Sequence, residues 1–352
     1  MADEDEIGVG LIGYGMAARV FHAPFIEAVP RLKLLKVVER SGEESRRRYP
    51  HVEVVRDADE LLRDERVGLV VVATPNASHF ESARRSLLAG KHVVVEKPFT
   101  NTSDEAVELI ELARRQGRLL TAHHNRRWDG DFLTVREILK AGLLGRLVEY
   151  ESHYDRFRDQ PREGAWREAG GPGSGILYDL GPHLIDQALV LFGQPRAVTA
   201  DVRRQREFTK ADDYFELALE YEALKVTLKA GMLVREPRPR FRLRGTEGSY
   251  VKHGMDPQEE ALKRGLTPSA PDWGEEPPES WGALDARVEG LRVRGRVETL
   301  AGSYQSFYRN VAEAVEGRAE LAVKPEEALA TVRVIEAALR SSEEKRAVPF
   351  SS

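Results

Sequence analysis

Ile7-Gly8-Val9-Gly10-Leu11-Ile12-Gly13-Tyr14-Gly15-Met16-Ala17-Ala18 is the stretch that decides the fold. An apolar run passes into a glycine-rich turn, and a helical pattern follows. Gly13, Gly15 and Ala18 fit G-x-G-x-x-G/A. The first glycine permits a tight turn and the second lets backbone approach a pyrophosphate. Ala18 keeps helix and strand close, and the helix N-terminus faces the phosphates. A glycine-rich loop without a ligand would share the pattern, but the strand–turn–helix setting favours a dinucleotide. Pro24 predicts that this first helix is short or kinked.

Outward from the turn, strand and helix patterns alternate to about His124. Strands are expected over 8–12, 34–38, 52–55, 67–73, 92–96 and 119–122, with helices over 77–89 and 103–116. Such alternation implies right-handed βαβ units and a parallel sheet. Thr74-Pro75-Asn76 closes the fourth strand, and Gly117 stops the helix before the sixth. The fifth strand, His92-Val93-Val94-Val95-Glu96, is β-branched and bounded by Gly90 and Pro98, so it reads as buried and parallel. Lys97 stands at its carboxyl end, where open α/β sheets bind ligands. A strand-end lysine can also simply reach solvent. Beside the glycine turn, it points to redox chemistry on a small molecule.

After Asn125 the pattern changes. A helix over 132–141 leads through Gly142 and Gly145 into long alternating segments. Val148, Tyr150, Ser152 and Tyr154 share one face, while Glu149, Glu151, His153 and Asp155 share the other. Leu224, Val226 and Leu228 alternate with Lys225, Thr227 and Lys229 in the same way. Period-2 patterning without intervening helices argues an antiparallel sheet with one buried face. The loop Gly170-Gly171-Pro172-Gly173-Ser174-Gly175 precedes Asp179-Leu180-Gly181-Pro182-His183-Leu184-Ile185-Asp186, which opens another helix. Helices over 304–315 and 326–341 close the chain, the second with Pro325 near its first turn. Residues 257–298 are polar, contain Pro and Gly, and read as an extended excursion. The expected fold class is α/β. A Rossmann dinucleotide-binding domain spans residues 1–124. A substrate-binding and oligomerisation domain spans 125–352 and carries a large open, mainly antiparallel sheet. The C-terminal helix is free to pack back on the first domain.

The bulk numbers agree. A chain of 352 residues is too long for one small core, and two domains are the natural expectation. A net charge of −5 gives no global pull toward nucleic acid or anionic membrane. The absence of cysteine excludes disulfides, thiolate nucleophiles, Fe–S clusters and cysteine-ligated zinc. No run approaches the ~18 apolar residues of a membrane span. The acidic start, Met1-Ala2-Asp3-Glu4-Asp5-Glu6, is unlike a signal peptide's basic-then-apolar opening. A cytoplasmic protein is expected.

Three further groups carry chemistry. The second strand ends Val38-Glu39-Arg40-Ser41. An acidic residue there holds a ribose 2′-hydroxyl, whereas an arginine holds a 2′-phosphate. This chain has one of each, and the sequence leaves open which points inward. Asp179 and His183 lie four apart across the expected helix start, so both can face one cleft, and a neutral imidazole accepts protons near pH 7. A helix-capping aspartate beside a satisfied core histidine is the commoner arrangement for such a pair. His183-x-x-Asp186 has metal-ligand spacing without an obvious third ligand, and His123-His124 read as packing at the domain junction. Tyr154-Asp155-Arg156-Phe157-Arg158 and Trp166-Arg167 offer aromatic faces and guanidiniums suited to a sugar or polyol, or to a carboxylate or phosphate.

Together, Gly13-x-Gly15-x-x-Ala18, Glu96-Lys97-Pro98 and Asp179-x-Gly181-x-His183-x-x-Asp186 resemble the glucose-fructose oxidoreductase / inositol dehydrogenase (Gfo/Idh/MocA) family over nearly the whole chain. Phe21-His22-Ala23-Pro24, His124-Asn125-Arg126-Arg127-Trp128-Asp129 and the segment from Tyr178 to Gln187 resemble its branch of NADP-dependent scyllo-inositol dehydrogenases. The resemblance implies hydride transfer between nicotinamide C4 and a secondary alcohol or ketone of a cyclic polyol or sugar. Lys97, Asp179 and His183 are then the catalytic set. His183 is the general base, Lys97 binds the same oxygen, and Asp179 orients His183 or the substrate.

The cofactor set expected is Gly13, Gly15, Met16, Ala17, Ala18, Glu39, Arg40, Thr74, Pro75, Asn76, His79, Glu96 and Lys97. The substrate set is Lys97, Arg126, Tyr154, Arg156, Trp166, Asp179 and His183. No metal, nucleic acid or membrane partner is expected, and a homo-oligomer, dimer or tetramer, is. Relatives in that branch tend to carry a small hydroxylated residue at the place of Glu39. The expected cofactor is therefore NAD, or NAD and NADP both. A reductase of another ketone or imine and a non-catalytic dinucleotide-binding regulator stay open as alternatives. Intact Lys97, Asp179 and His183 argue against the regulator, which needs none of them.

Overall fold

The computed structural model describes residues 6–161 and 164–350. The acidic start read from Met1 to Asp5 lies outside the described residues. The chain divides into two compact units. The first holds the described residues up to Trp128, together with Gln258–Trp273 and Ser303–Leu329. The second holds Asp129–Pro257, Gly274–Gly302 and the described residues from Ala330 onward. Sequence patterning places one boundary after residue 124, whereas the chain returns twice to the first unit.

The first unit is built on six strands: Ile7–Ile12 (β1), Leu32–Val38 (β2), Glu53–Val55 (β3), Val67–Val72 (β4), His92–Val95 (β5) and Leu120–Ala122 (β6). All pair in parallel in the order β3-β2-β1-β4-β5-β6. The order reverses at β1, so a crevice opens beyond the carboxyl ends of β1 and β4, where Gly13 and Thr74 stand. β-branched Val70, Val71 and Val72 are fully buried, as a strand covered on both faces requires. Val9, Leu11, Leu34, Leu69, Val71 and Val94 share one core with Tyr304, Phe307, Tyr308, Val311 and Val323. That shared core is the physical reason the segment 303–329 folds here.

Pro24 acts as expected. It has no N–H to bond the Val20 carbonyl, and the helix after the turn widens to π spacing over Ala18–His22 before an α-helix, Ala23–Ala28, resumes. The helix Ser103–Gln116 is bounded by a Thr102/Glu105 capping box and by Gly117 at φ +61°.

The second unit carries a nine-stranded sheet: Leu147–Asp155 (β7), Ala197–Arg203 (β8), Tyr214–Glu220 (β9), Lys225–Gly231 (β10), Phe241–Gly245 (β11), Gly248–Lys252 (β12), Gly282–Val288 (β13), Leu291–Val297 (β14) and Val348–Pro349 (β15). The order is β14-β13-β12-β11-β7-β10-β9-β8-β15. β7 and β10 pair in parallel, and the other neighbours pair antiparallel. Tyr150, Leu217, Val226, Leu228 and Leu243 cluster with Leu184 and Ile185 of the helix Gly181–Phe192 and with Val334 and Ile335. The opposite face carries cross-strand ion pairs, Glu149 with Arg244 and Glu151 with Arg242.

The excursion expected over 257–298 is corrected. It contains a helix, Gln258–Lys263, and the hairpin β13–β14. Glu289 and Gly290 turn that hairpin with φ of +51° and +84°, the two left-handed residues of a type I′ turn. β14 is exposed along nearly its whole length, so no burial period marked it.

Candidate active site

In the first unit, Gly13 has φ +91°, and a Cβ there would lie 3.0 Å from the Ala73 carbonyl oxygen and 3.2 Å from Thr74 Cγ2. A Cβ on Gly15 would meet nothing within 4 Å, which leaves the open approach that a pyrophosphate needs. Met16 is exposed, Ala17 half-buried and Ala18 fully buried against the sheet. Pro75 precedes a single 3-10 turn, Asn76–Ser78, whose first residue is buried. This surround fits a dinucleotide: a glycine turn at the switch point, with a helical N-terminus beyond it.

His79 lies behind that turn. Its Nδ1 faces the Pro98 carbonyl at 2.8 Å and its Nε2 the Thr74 carbonyl at 2.9 Å. The ring thus ties together the loops that follow β4 and β5. Burial pulls its pKa below the usual imidazole value, against the raising effect of the two carbonyls.

Glu39 is buried at the end of β2 and its carboxylate is engaged. Oε1 accepts the Ser45 N–H at 2.8 Å and the Ser45 hydroxyl, and Oε2 accepts the Glu44 N–H at 3.1 Å. Arg40 beside it is exposed. Arg56 Nη1 donates to the Glu39 and Gly42 carbonyls at 2.9 and 2.6 Å, closing the loop between them.

Lys97 follows β5 and is half-buried; its peptide bond to Pro98 is cis. The neighbouring Glu96 turns inward. Its Oε2 accepts the Lys97 peptide N–H at 3.0 Å, and its Oε1 faces His123 Nδ1 at 2.8 Å and His22 Nε2 at 3.1 Å. His22 Nδ1 bonds the Tyr308 hydroxyl. Burial raises the Glu96 pKa, but hydrogen bonds from His123 and His22 outweigh it and hold the carboxyl well below its usual range. Burial and the nearby His22 pull His123 down to about 4 against the raising effect of Glu96. The Glu96 carboxylate is thus held by both buried imidazoles and by the Lys97 peptide N–H. Among the described residues, His22, Glu96 and His123 also bring three possible ligand atoms within 4.8 Å of one another, and hydrogen bonds join them.

In the second unit, Asp179 ends the short helix Ile176–Asp179, and the helix Gly181–Phe192 follows with Pro182 in its first turn. Leu180 holds the N-cap position of that second helix, so Asp179 does not cap it. The Asp179 carboxylate instead takes Arg167 Nε at 3.1 Å. Arg167 in turn lies over the Trp166 ring at 4.5 Å. His183, 6 % exposed, stacks on Tyr154 at 6.5 Å between centroids and 28° between planes. The Arg156 and Arg240 guanidiniums lie 5.3 and 5.5 Å from the same Tyr154 ring. The second unit thus gathers Tyr154, Arg156 and His183 around one ring, and Trp166, Arg167 and Asp179 around another.

Two family models cover the chain: "Oxidoreductase family, NAD-binding Rossmann fold" matches residues 7–124, and "Oxidoreductase family, C-terminal alpha/beta domain" matches residues 136–350. The chain belongs to the Gfo/Idh/MocA oxidoreductase family. This Gfo/Idh/MocA chain is 40% identical to scyllo-inositol 2-dehydrogenase (NADP(+)) IolW of Bacillus subtilis, over 98% of this chain and 96% of that one. It is 44% identical to the oxidoreductase YdgJ of Escherichia coli K12, over 97% and 98% of the two chains. The solved structure of the oxidoreductase yvaA from Bacillus subtilis superposes with a TM-score of 0.94 at 39% identity, covering 99% of this chain and 100% of that one. Among the described residues, no helix of this family member is long and apolar enough to cross a membrane.

Three features of this Gfo/Idh/MocA site escape sequence reading. Arg126, expected near substrate, is buried in the first unit, where it pairs with Glu259 and donates to the Tyr304 hydroxyl at 3.2 Å. Burial raises the Glu259 pKa, but the Arg126 charge and the Lys263 and Arg126 hydrogen bonds hold it at about 2. Asp212 is the second: its Oδ2 accepts the Leu177 N–H at 2.8 Å and its carbonyl the Ile176 N–H at 3.0 Å, fixing the helix that ends in Asp179. Gly175 makes room for it. A Cβ there would sit 1.8 Å from Asp212 Oδ1, at φ +90°. Tyr308 supports His22 from 286 residues away, a separation with no spacing signal.

Proposed function

We propose reversible hydride transfer between NAD(P) and a secondary alcohol of a cyclic polyol or sugar, inositol-like in shape. The observation that carries this is an intact Lys97, Asp179 and His183 in a chain 40% identical, over 98% of its length, to a protein named scyllo-inositol 2-dehydrogenase. His183 accepts the hydroxyl proton as general base, and the Tyr154 ring stacked on it restricts its plane. Lys97 donates to the same oxygen and stabilises the developing alkoxide. Asp179, held by Arg167, orients His183 or a substrate hydroxyl. Arg156, beside the buried Tyr154 ring, suits the hydroxyls of a polyol. Gly13 and Gly15 give the pyrophosphate its approach. A bound NAD(P) supplies the hydride acceptor or donor.

The same reading takes NAD, or NAD and NADP both, as cofactor, and a cytoplasmic homo-oligomer, dimer or tetramer, as the working form. A screen of cyclic polyols and sugars, scyllo-inositol included, followed by NAD(P)H absorbance with each cofactor in parallel, tests it. Turnover of at least one cyclic polyol supports the reading. Cofactor binding without turnover of any polyol or sugar removes it in favour of a regulator or a reductase of another class.

A further inference from the structure

We infer that Glu96 is a positioning residue for Lys97, gripping it by its peptide N–H, and that His22, His123 and Tyr308 exist to hold Glu96. The inference rests on the reading of Lys97 as the group that stabilises the alkoxide.

β5 ends at Val95, and Glu96 still makes a ladder bond to Val72 through its N–H at 2.9 Å. One residue later the peptide N–H of Lys97 is bonded by the Glu96 side chain. Pro98 brings no N–H of its own, and its carbonyl is taken by His79. Lys97 is therefore fixed from both directions by buried side chains, one to each side along the chain.

The grip on Glu96 is equally complete. A carboxylate only accepts, so His123 presents Nδ1–H and His22 presents Nε2–H to Oε1. His22 Nδ1, on the other side of the ring, bonds the Tyr308 hydroxyl. The two imidazoles pack at 4.2 Å between centroids, and His123 also meets Phe307 edge-on at 4.8 Å. His22, His123 and Tyr308 are at most 1 % exposed. Burial keeps all three from bulk water, so a direct role in proton exchange with it is closed to them. What they do is fix both oxygens of Glu96 in a single orientation, which in turn fixes the plane of the peptide before Lys97. Misplacement of a reacting group by about 1 Å costs on the order of 10²-fold in rate, which makes such bracing worth four buried polar side chains.

The test is a cycle of Glu96→Ala, Glu96→Gln, Lys97→Ala and the double Glu96→Ala/Lys97→Ala, assayed with scyllo-inositol, or the best polyol of the screen, and NAD(P). Hydrogen exchange of the peptide spanning residues 93–99 is followed in the cofactor-free protein. Glu96→Ala is expected to lower kcat by about 10–10²-fold with KM for the polyol and cofactor affinity within about threefold, and Glu96→Gln, whose amide oxygen can still accept the N–H, to fall by less than about tenfold. The double variant is expected to match Lys97→Ala, because a residue acting only through Lys97 has nothing left to lose. Exchange at the Lys97 amide should accelerate in Glu96→Ala and less so in Glu96→Gln. A double variant well below Lys97→Ala, or an unchanged Lys97 amide in both Glu96 variants, overturns the inference. If Glu96→Ala does not fold, Glu96→Gln carries the exchange comparison. Normal turnover by Lys97→Ala would instead overturn the reading of Lys97 and leave the exchange result to judge the grip by itself.

Discussion

Glu39 holds Ser45 twice, through its N–H at 2.8 Å and through its hydroxyl. The carboxylate therefore organises the loop before the helix Glu44–Arg48, and three donors offset its charge. A lone carboxylate at this place repels a 2′-phosphate; one already hydrogen-bonded by the protein repels it less. Arg40 is the exposed cation next in the chain. We expect NADP to be used alongside NAD, with Arg40→Ala lowering kcat/KM for NADP relative to NAD by about tenfold, the effect of losing ~1.4 kcal/mol. Glu39→Gln, which keeps an acceptor for Ser45 and loses the charge, should move preference toward NADP. A cofactor ratio unmoved by Arg40→Ala would take that side chain out of the pocket.

Lys97→Ala and His183→Ala should each reduce kcat by roughly 10²–10⁴-fold, the range for positioned acid–base groups. Cofactor affinity, followed by intrinsic fluorescence, should hold in His183→Ala, which lies outside the expected cofactor set. Gly15→Val should do the reverse and weaken cofactor binding, because its side chain would enter space that is open within 4 Å.

Gly175→Ala is expected to destabilise the protein by about 1–3 kcal/mol, from a Cβ forced against Asp212 and a left-handed backbone that alanine resists. Because the displaced segment ends in Asp179, kcat should fall as well. Urea unfolding and steady-state kinetics on one preparation check both. A variant with wild-type midpoint and rate would show that the segment relaxes freely.

Stability should decline on acidification. His123 titrates at about 4 when folded, against an ordinary value of 6.5, because burial opposes its charge. Between those values the unfolded chain binds more protons, so this contribution is full above pH 6.5 and drains as pH falls toward 4. Glu96, also depressed, extends the loss below 4.5. Asp212 works against the trend. Burial raises it to about 6, so it contributes stability below 3.8 and loses it as pH rises to 6. Urea midpoints measured across this interval should fall with pH, and more steeply in Asp212→Asn.

Features that act through near neighbours were legible in the sequence. β-Branched runs gave the parallel strands, Pro24 the interrupted helix, and Gly117 the stop of the helix before β6. The glycine turn could be read because φ and close approach restrict it to one residue type. What stayed hidden joins distant positions. The partner of Arg126 lies 133 residues away, and an unpaired guanidinium in a sequence reads like a substrate anchor. Nothing in the spacing of Glu96, expected among the cofactor contacts, shows that its oxygens face His22, His123 and the Lys97 N–H. The hairpin β13–β14 was hidden for the opposite reason. Its strand β14 lies exposed, with Arg292 and Arg294 paired to Asp285, so it shows no apolar period.

The division of the first unit into three stretches of chain sets a timetable for its synthesis. By residue 128 all six parallel strands have been made, but Phe307, Tyr308 and Val311, which complete their core, and Val323, whose carbonyl takes the Thr121 hydroxyl, have not. At ribosomal speeds of about 5–20 residues per second the nascent sheet waits on the order of tens of seconds with an apolar flank uncovered. Chaperone demand should peak in that interval, and any fragment that stops short of residue 303 keeps the uncovered flank permanently.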